Sequence, residues 1–411
     1  MQRSDVQLRR IPYPYRAMLA ICSDLDETPD RQTYWEIMRF LNTTEDTAMG
    51  PGVGLEVGNS IYFDMPPGQF SYWNTDDAGR EMIRSLIHSG HIDCLHSYGD
   101  LATTRAHAGR ALDELARHGC KLEVWVDHAV APTNFGADIM HGHGDEPGHE
   151  AYHADLTTGH GVRYVWRGRV TSVLGQDIRP RLGGILSARH PLASSRTLAK
   201  ETTKRILARR GNGKYAMHRP NRIIRQVSLR DGQAVYEFMR SNPHWGGVSC
   251  CETARGIGKV LTESMLNRLA QREGICILYT HLGKVINPVT PFAPAACKAF
   301  RQLADRRNRG EILVTTTHKL LRYITVRNSV RFRAENADGR LRITIDHVAD
   351  PVHGTYAPSP DELQGLTFSA PRCEQVELAD ATGNSMPCEV SHLAEATYVT
   401  IPWHALEFPS Q

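Results

Sequence analysis

Seven short apolar runs, each closing on polar or charged residues, recur along the first 317 positions: RAMLAICSD, HIDCLHS, LEVWVDH, GVRYVW, RIIRQVSL, GICILYTH and EILVTTT. Apolar on both faces rather than alternating, they predict strands buried in a parallel sheet. Between them lie amphipathic stretches such as DAGREMIRSLIHSG and TRAHAGRALDELARHG, each closed by a glycine able to take the left-handed conformation that ends a helix. This alternation predicts an α/β domain, and either a closed barrel or an open doubly wound sheet satisfies it. Both gather their chemistry at the carboxyl ends of the strands. After about Tyr323 the period changes. SVRFRAENADGRLRITIDHV alternates on both sides of Asp338 and Gly339, predicting an antiparallel hairpin, and LTFSA, EQVELAD and TYVTIPW read as further strands. The expected organisation is a main domain over residues 1–325 and a small antiparallel, β-sandwich-like module over 326–411.

At 411 residues the chain can bury a substantial core. A formal charge of only +3 argues against a nucleic-acid clamp or any partner attracted by bulk charge, so the electrostatics that matter are local. No apolar run reaches the length of a membrane span. The start, MQRSDVQLRRIPYPYRAMLAIC, has too short an apolar run for a signal segment and passes straight into aspartates. The expectation is a cytoplasmic protein with no transmembrane segment and no nucleic-acid partner. Its nine cysteines, without CxxC spacing, read as unpaired thiols. Neither GPGVG nor ARGIGK has the spacing of a phosphate-binding loop, and no GxSxG elbow is present.

The stretch AMLAICSDLDET places Asp24, Asp26 and Thr28 directly after a predicted strand. A haloacid dehalogenase-like phosphatase would need partners such as Thr315 to Thr317, Lys319, Asp346 and Asp350, but the last two fall in the antiparallel hairpin, whereas that fold is parallel. A metal-dependent hydrolase needs ligands at other strand ends. His96 ends the run HIDCLH, and Asp100 stands four residues on, a spacing that lets imidazole and carboxylate meet one cation with Asp26 as a third ligand. Three protein ligands leave room for water and a substrate oxygen.

These segments resemble a known family. Asp24 with Asp26, the HSYGD after SGHID, and ILYTHLGK containing His281 are similar to the first, second and last motifs of NodB-type polysaccharide deacetylases, the family-4 carbohydrate esterases. Together with WVDH, YHADL and GVRYVW, their order resembles most closely that of WbmS-like proteins of O-antigen biosynthesis clusters. The resemblance spans roughly residues 16–325. It implies a distorted (β/α)7-type barrel with Asp24 as base, His281 as general acid, and one divalent metal ion on Asp26, His96 and Asp100. Zinc is the first expectation, with manganese, magnesium or iron as alternatives. The implied activity is removal of an N-acyl group, an acetyl, from a sugar during surface polysaccharide synthesis, the carbohydrate being free or nucleotide- or lipid-linked. Two departures stand out. Asp100 replaces the second histidine of the family's HSxxH, making the ligand set harder. Where the family carries an Arg and a Pro that orient the base, WVDHAVAPTNFG offers Asp127, His128 and Pro132, leaving His128 as a stand-in. A glycan-binding protein without turnover is the rival that this second departure feeds.

A second collection, ADIMHGHGDEPGHEAYHADLTTGHG, suggests a loop over the strand ends. His141, His143, Asp145 and His153 within it, together with His128 and Trp166, are expected among the substrate contacts. Between Ser195 and Arg230 eleven Lys and Arg face one acid, read first as a solvated helix face and alternatively as a site for an anionic diphosphate carrier.

Overall fold

The computed structural model describes residues 6–25, 27–243, 251–337 and 340–410. The chain divides into two compact units, one of residues 17–318 with 406–411 and one of residues 1–16 with 319–405. The first sixteen residues, read from the sequence as the start of the main domain, thus group with the C-terminal strands.

The larger unit is mixed α/β around a curled, mostly parallel sheet. Its central strand, Ala17–Ser23, is buried along its whole length. On one side it pairs in parallel with Ile275–Thr280. On the other, Ile312–Thr315 covers its first half and Gly58–Ile61 its last two residues. From Gly58–Ile61 the sheet continues through Ile92–His96, Val124–Val126 and Tyr164–Trp166, each parallel to the one before. Ala234–Phe238 then pairs with Tyr164–Trp166, Tyr236 opposite Tyr164. One residue later, Arg240–Ser241 pairs with the far side of the sheet, Ser241 opposite Leu278. A single stretch of chain therefore joins the next-to-last strands at the two ends of the path, and the sheet curls back toward its own start. Parallel strands need covering on both faces. Amphipathic helices provide it, among them Arg31–Asn42, Asp77–His88, Arg105–Arg117 and Glu263–Gln271, which bury rows such as Ile37, Met38 and Leu41 or Met82, Ile83 and Leu86. Asp30 and Asp76 cap the first two by accepting first-turn amides at 2.8 Å.

All seven apolar runs form strands. RIIRQVSL departs from the expected buried parallel strand: Ile224–Ser228 is a half-exposed edge strand antiparallel to Ala234–Phe238. The cause lies in LRDGQ, where Gly232 takes a positive φ of 92° and turns the chain straight back. No disulfide joins any two of the eight described cysteines. Among the described residues no helix is long and apolar enough to cross a membrane.

The smaller unit contains two four-stranded sheets. Val330–Ala337, Arg340–Asp350 and Gly354–Tyr356 form an antiparallel series, and Gln7–Leu8, Thr367–Pro371, Ala396–Thr400 and Glu389–Leu393 form the second sheet. The predicted turn at Asp338 and Gly339 lies outside the described residues. The module is not wholly antiparallel, because Gln375–Ala379 runs parallel to Arg340–Asp350. The chain reaches it after passing through the other sheet, and such a crossover is what a parallel pair requires.

Candidate functional site

Parallel strands in one sheet all end on the same side, so residues just after them converge even when far apart in sequence. Asp24 follows the central strand, and its N–H donates to the Thr280 carbonyl at 2.9 Å. That bond sets Asp24 beside the end of Ile275–Thr280, where His281 follows. The His281 N–H in turn donates to the Glu252 carbonyl at 2.7 Å. Ser60 comes from the strand on the other side of Asp24, and His96 and His128 from the ends of the next two.

Asp24 is fully enclosed and makes one strong contact: Arg240 Nη1 donates to its Oδ2 at 2.7 Å, both side chains having almost no exposed surface. The guanidinium carbon lies 4.2 Å from the Trp166 ring centre and 4.8 Å from that of Tyr279, so the cation is held against two aromatic faces. Burial alone would push the Asp24 carboxyl up, but the Arg240 guanidinium beside it holds it below the usual carboxylate range. Arg240 itself is held protonated because Asp24 outweighs the cost of burial. Among the described residues, Arg240 Nε and Nη2 and His281 Nδ1 are buried without a hydrogen-bond partner. Buried polar atoms left unfilled are costly, and two guanidinium donors with an imidazole nitrogen near one carboxylate suit a group that enters the site.

His96 is enclosed on the other side of Asp24, with Nδ1 3.7 Å from Asp24 Oδ1 and 3.0 Å from Ser60 Oγ. Its Nε2 is 3.4 Å from the Tyr62 hydroxyl, whose ring stacks on the imidazole at 4.3 Å. Burial drives the His96 pKa well below its usual 6.5, outweighing the attraction of Asp24, so the ring is neutral and retains a lone pair. The His128 ring lies 5.0 Å from that of His96, and its Nδ1 is 2.7 Å from Asp100 Oδ1. Asp100 is delivered by an unusual turn in which Ser97, Tyr98 and Gly99 all have positive φ. At Gly99 the reason for glycine is direct: a Cβ would lie 2.2 Å from the Asp64 carbonyl oxygen. The site thus grades from a sealed floor of Asp24, Arg240 and His96 to a more open rim, where the His128 and Asp100 side chains are 22% and 39% exposed.

Of the expected metal ligands, His96 and Asp100 border the same imidazole, that of His128, and Asp26 lies outside the described residues. Among the described residues no group of three His, Cys, Asp or Glu is arranged to hold a metal ion. His96, with a neutral ring, and the rim carboxylate of Asp100 carry donor atoms of the kinds that a borderline divalent cation takes.

Several expected substrate contacts are engaged by neighbours of their own. His153 is buried, its Nε2 donating to the Thr133 carbonyl and its Nδ1 2.8 Å from Thr157 Oγ1, because its ring fills space against Tyr98, Trp125 and Phe135. Asp145 is also buried, accepting from Arg230 N at 3.0 Å and Arg230 Nε at 2.7 Å, and so pins the histidine-rich loop. Trp166 is enclosed beneath Arg240 and donates Nε1–H to the Arg169 carbonyl. His141 is exposed, and His143 stacks on His149 at 4.1 Å while its Nδ1 is 2.8 Å from Glu146 Oε2. The cation beside Asp24 is Arg240, from a strand more than a hundred residues after His128, which lies against His96 and Asp100. The one signal for it was a charge in EFMRSN, directly after an apolar stretch. Of the phosphatase set, Asp346 pairs with Arg333 and Asp350 accepts from the amides of Val352 and His353. No protein-family model matches the chain, and no curated protein matches it.

Proposed function

We propose that the chain is a NodB-type, metal-assisted hydrolase that removes an N-acyl group, an acetyl, from an amino sugar used in surface polysaccharide synthesis. The observation that carries this reading is the ionised Asp24–Arg240 pair, sealed among strand ends that also supply His96, His128 and His281. Held as a carboxylate throughout the neutral range, Asp24 takes a proton from the attacking water. His281, alongside on the neighbouring strand end, returns a proton to the departing amine through its unpartnered nitrogen. The unfilled Arg240 donors supply hydrogen bonds for the acyl oxygen as negative charge develops there. Asp26, His96 and Asp100 are the residues that would hold a divalent ion, which would supply Lewis acidity toward the carbonyl and the water.

The rival without turnover drew on the lack of an arginine near the third motif, and Arg240 beside Asp24 weakens that support. Metal content tests the proposal before the sugar is known. Protein purified without added metal should carry about one divalent ion per chain, lost in His96→Ala, and chelation should abolish acetate release until metal is restored. Absence of bound metal together with activity indifferent to chelation would overturn the metal-assisted scheme.

A further inference from the structure

The larger unit contains a cavity of about 940 Å³ whose wall carries Arg189, His190, Lys259 and Arg268 and no carboxylate among its described lining residues. We infer that this cavity binds a phosphate or diphosphate group, and that the sugar acted on is attached to such a carrier. Arg189 and Lys259 are exposed and make no ion pair among the described residues, so their charges face the cavity uncompensated. Arg268 is held in place by donating to the Ser264 and Gly184 carbonyls. Ser187, Thr262 and Ser264 add hydroxyls, the remaining requirement for phosphate recognition. The nineteen-residue helix Pro191–Arg209 also starts at this wall, with His190 at its N-cap and no side-chain capping bond among the described residues. Its positive end adds to the same field.

The cations that matter are therefore not those of the basic run. Within that run Lys204 is bound to the buried Glu201 at 2.7 Å and Arg225 to Glu237, so part of its charge is already used. Chain continuity ties the cavity to the strand ends. Pro243 in its wall lies three residues beyond Arg240, and Cys251 directly precedes Glu252, whose carbonyl accepts the His281 N–H. A carrier phosphate held here, with its acylated sugar reaching toward Asp24, accounts for both features.

The link to the substrate rests on the hydrolase reading, whereas phosphate binding can be measured without turnover. Calorimetric titration of the full chain with pyrophosphate, UDP and geranyl diphosphate tests it, alongside the double variant Arg189→Ala/Lys259→Ala. Saturable pyrophosphate binding is expected, weakened at least about tenfold in the double variant, whose circular dichroism should match the wild type because both residues are exposed. Tighter binding of UDP supports a nucleotide carrier and tighter binding of geranyl diphosphate a lipid carrier. Pyrophosphate binding in a protein that releases no acetate would sustain the cavity assignment and count against the hydrolase reading alone. No binding heat at about 5 mM pyrophosphate, or equal affinity in the double variant, would overturn the inference.

Discussion

Arg240 has no exposed surface, yet it sits between Trp166 and Tyr279 as a full cation, and Asp24 is the group that makes this tolerable. Removing one member of a buried ion pair leaves the other charge desolvated and alone, a loss of about 3–5 kcal/mol. Arg240→Met should therefore lower stability by about that amount. Adding Asp24→Asn should recover part of the loss, since no isolated charge then remains. Urea unfolding of the two single variants and the double variant closes the cycle, and strictly additive losses would show that the pair is not coupled. The pair also explains which site residues could be read from sequence. Asp24, His96 and His281 each follow a long apolar run, so their placement at strand ends was legible. Arg240 was not, because its strand lasts two residues and the preceding Ala234–Phe238 is interrupted by Glu237. Glu237 is itself buried against Arg167, Arg169 and Arg225, a network that no local pattern announces.

At the level of elements, the strand ends gather the candidate site's residues and the segment after Val124–Val126 shapes the rim. Asp127 anchors that segment by accepting from Trp125 Nε1 at 2.7 Å, Phe135 N at 2.9 Å and Gly136 N at 2.8 Å. His153 closes it, and burial lowers its pKa from the usual 6.5 to about 4. Between those values the unfolded chain binds a proton that the folded ring refuses. His153 therefore contributes stability that is present above the unfolded pKa and is lost as the pH falls toward 4, by up to about 3 kcal/mol. Unfolding free energies of wild type and His153→Gln across that range should diverge in slope, the variant being flatter. Matching slopes would place His153 outside this linkage. The helices Asp77–His88 and Arg105–Arg117 were legible from period and closing glycine. The role of the histidine-rich loop was not: composition shows many imidazoles, but only packing shows which of them face inward.

For the whole molecule, the small net charge means that no long-range field assembles the site, and the curl of the sheet does so instead. The α/β class followed from the alternation of apolar runs and amphipathic stretches. The return of the chain from Phe238 to Arg240, which joins strands near opposite ends of the path, had no local signature because it is a matter of pairing partners. That return is what places a cation against Asp24, and with it the claim that these strand ends form one hydrolytic centre. Acetate release from a panel of acetylated amino sugars, free, nucleotide-linked and lipid-linked, tests that claim most directly when wild type and Asp24→Asn are compared. The account predicts release by the wild type from at least one member and a loss of at least about 100-fold in the variant. Undiminished release by Asp24→Asn, or none by the wild type across the whole panel, would contradict it.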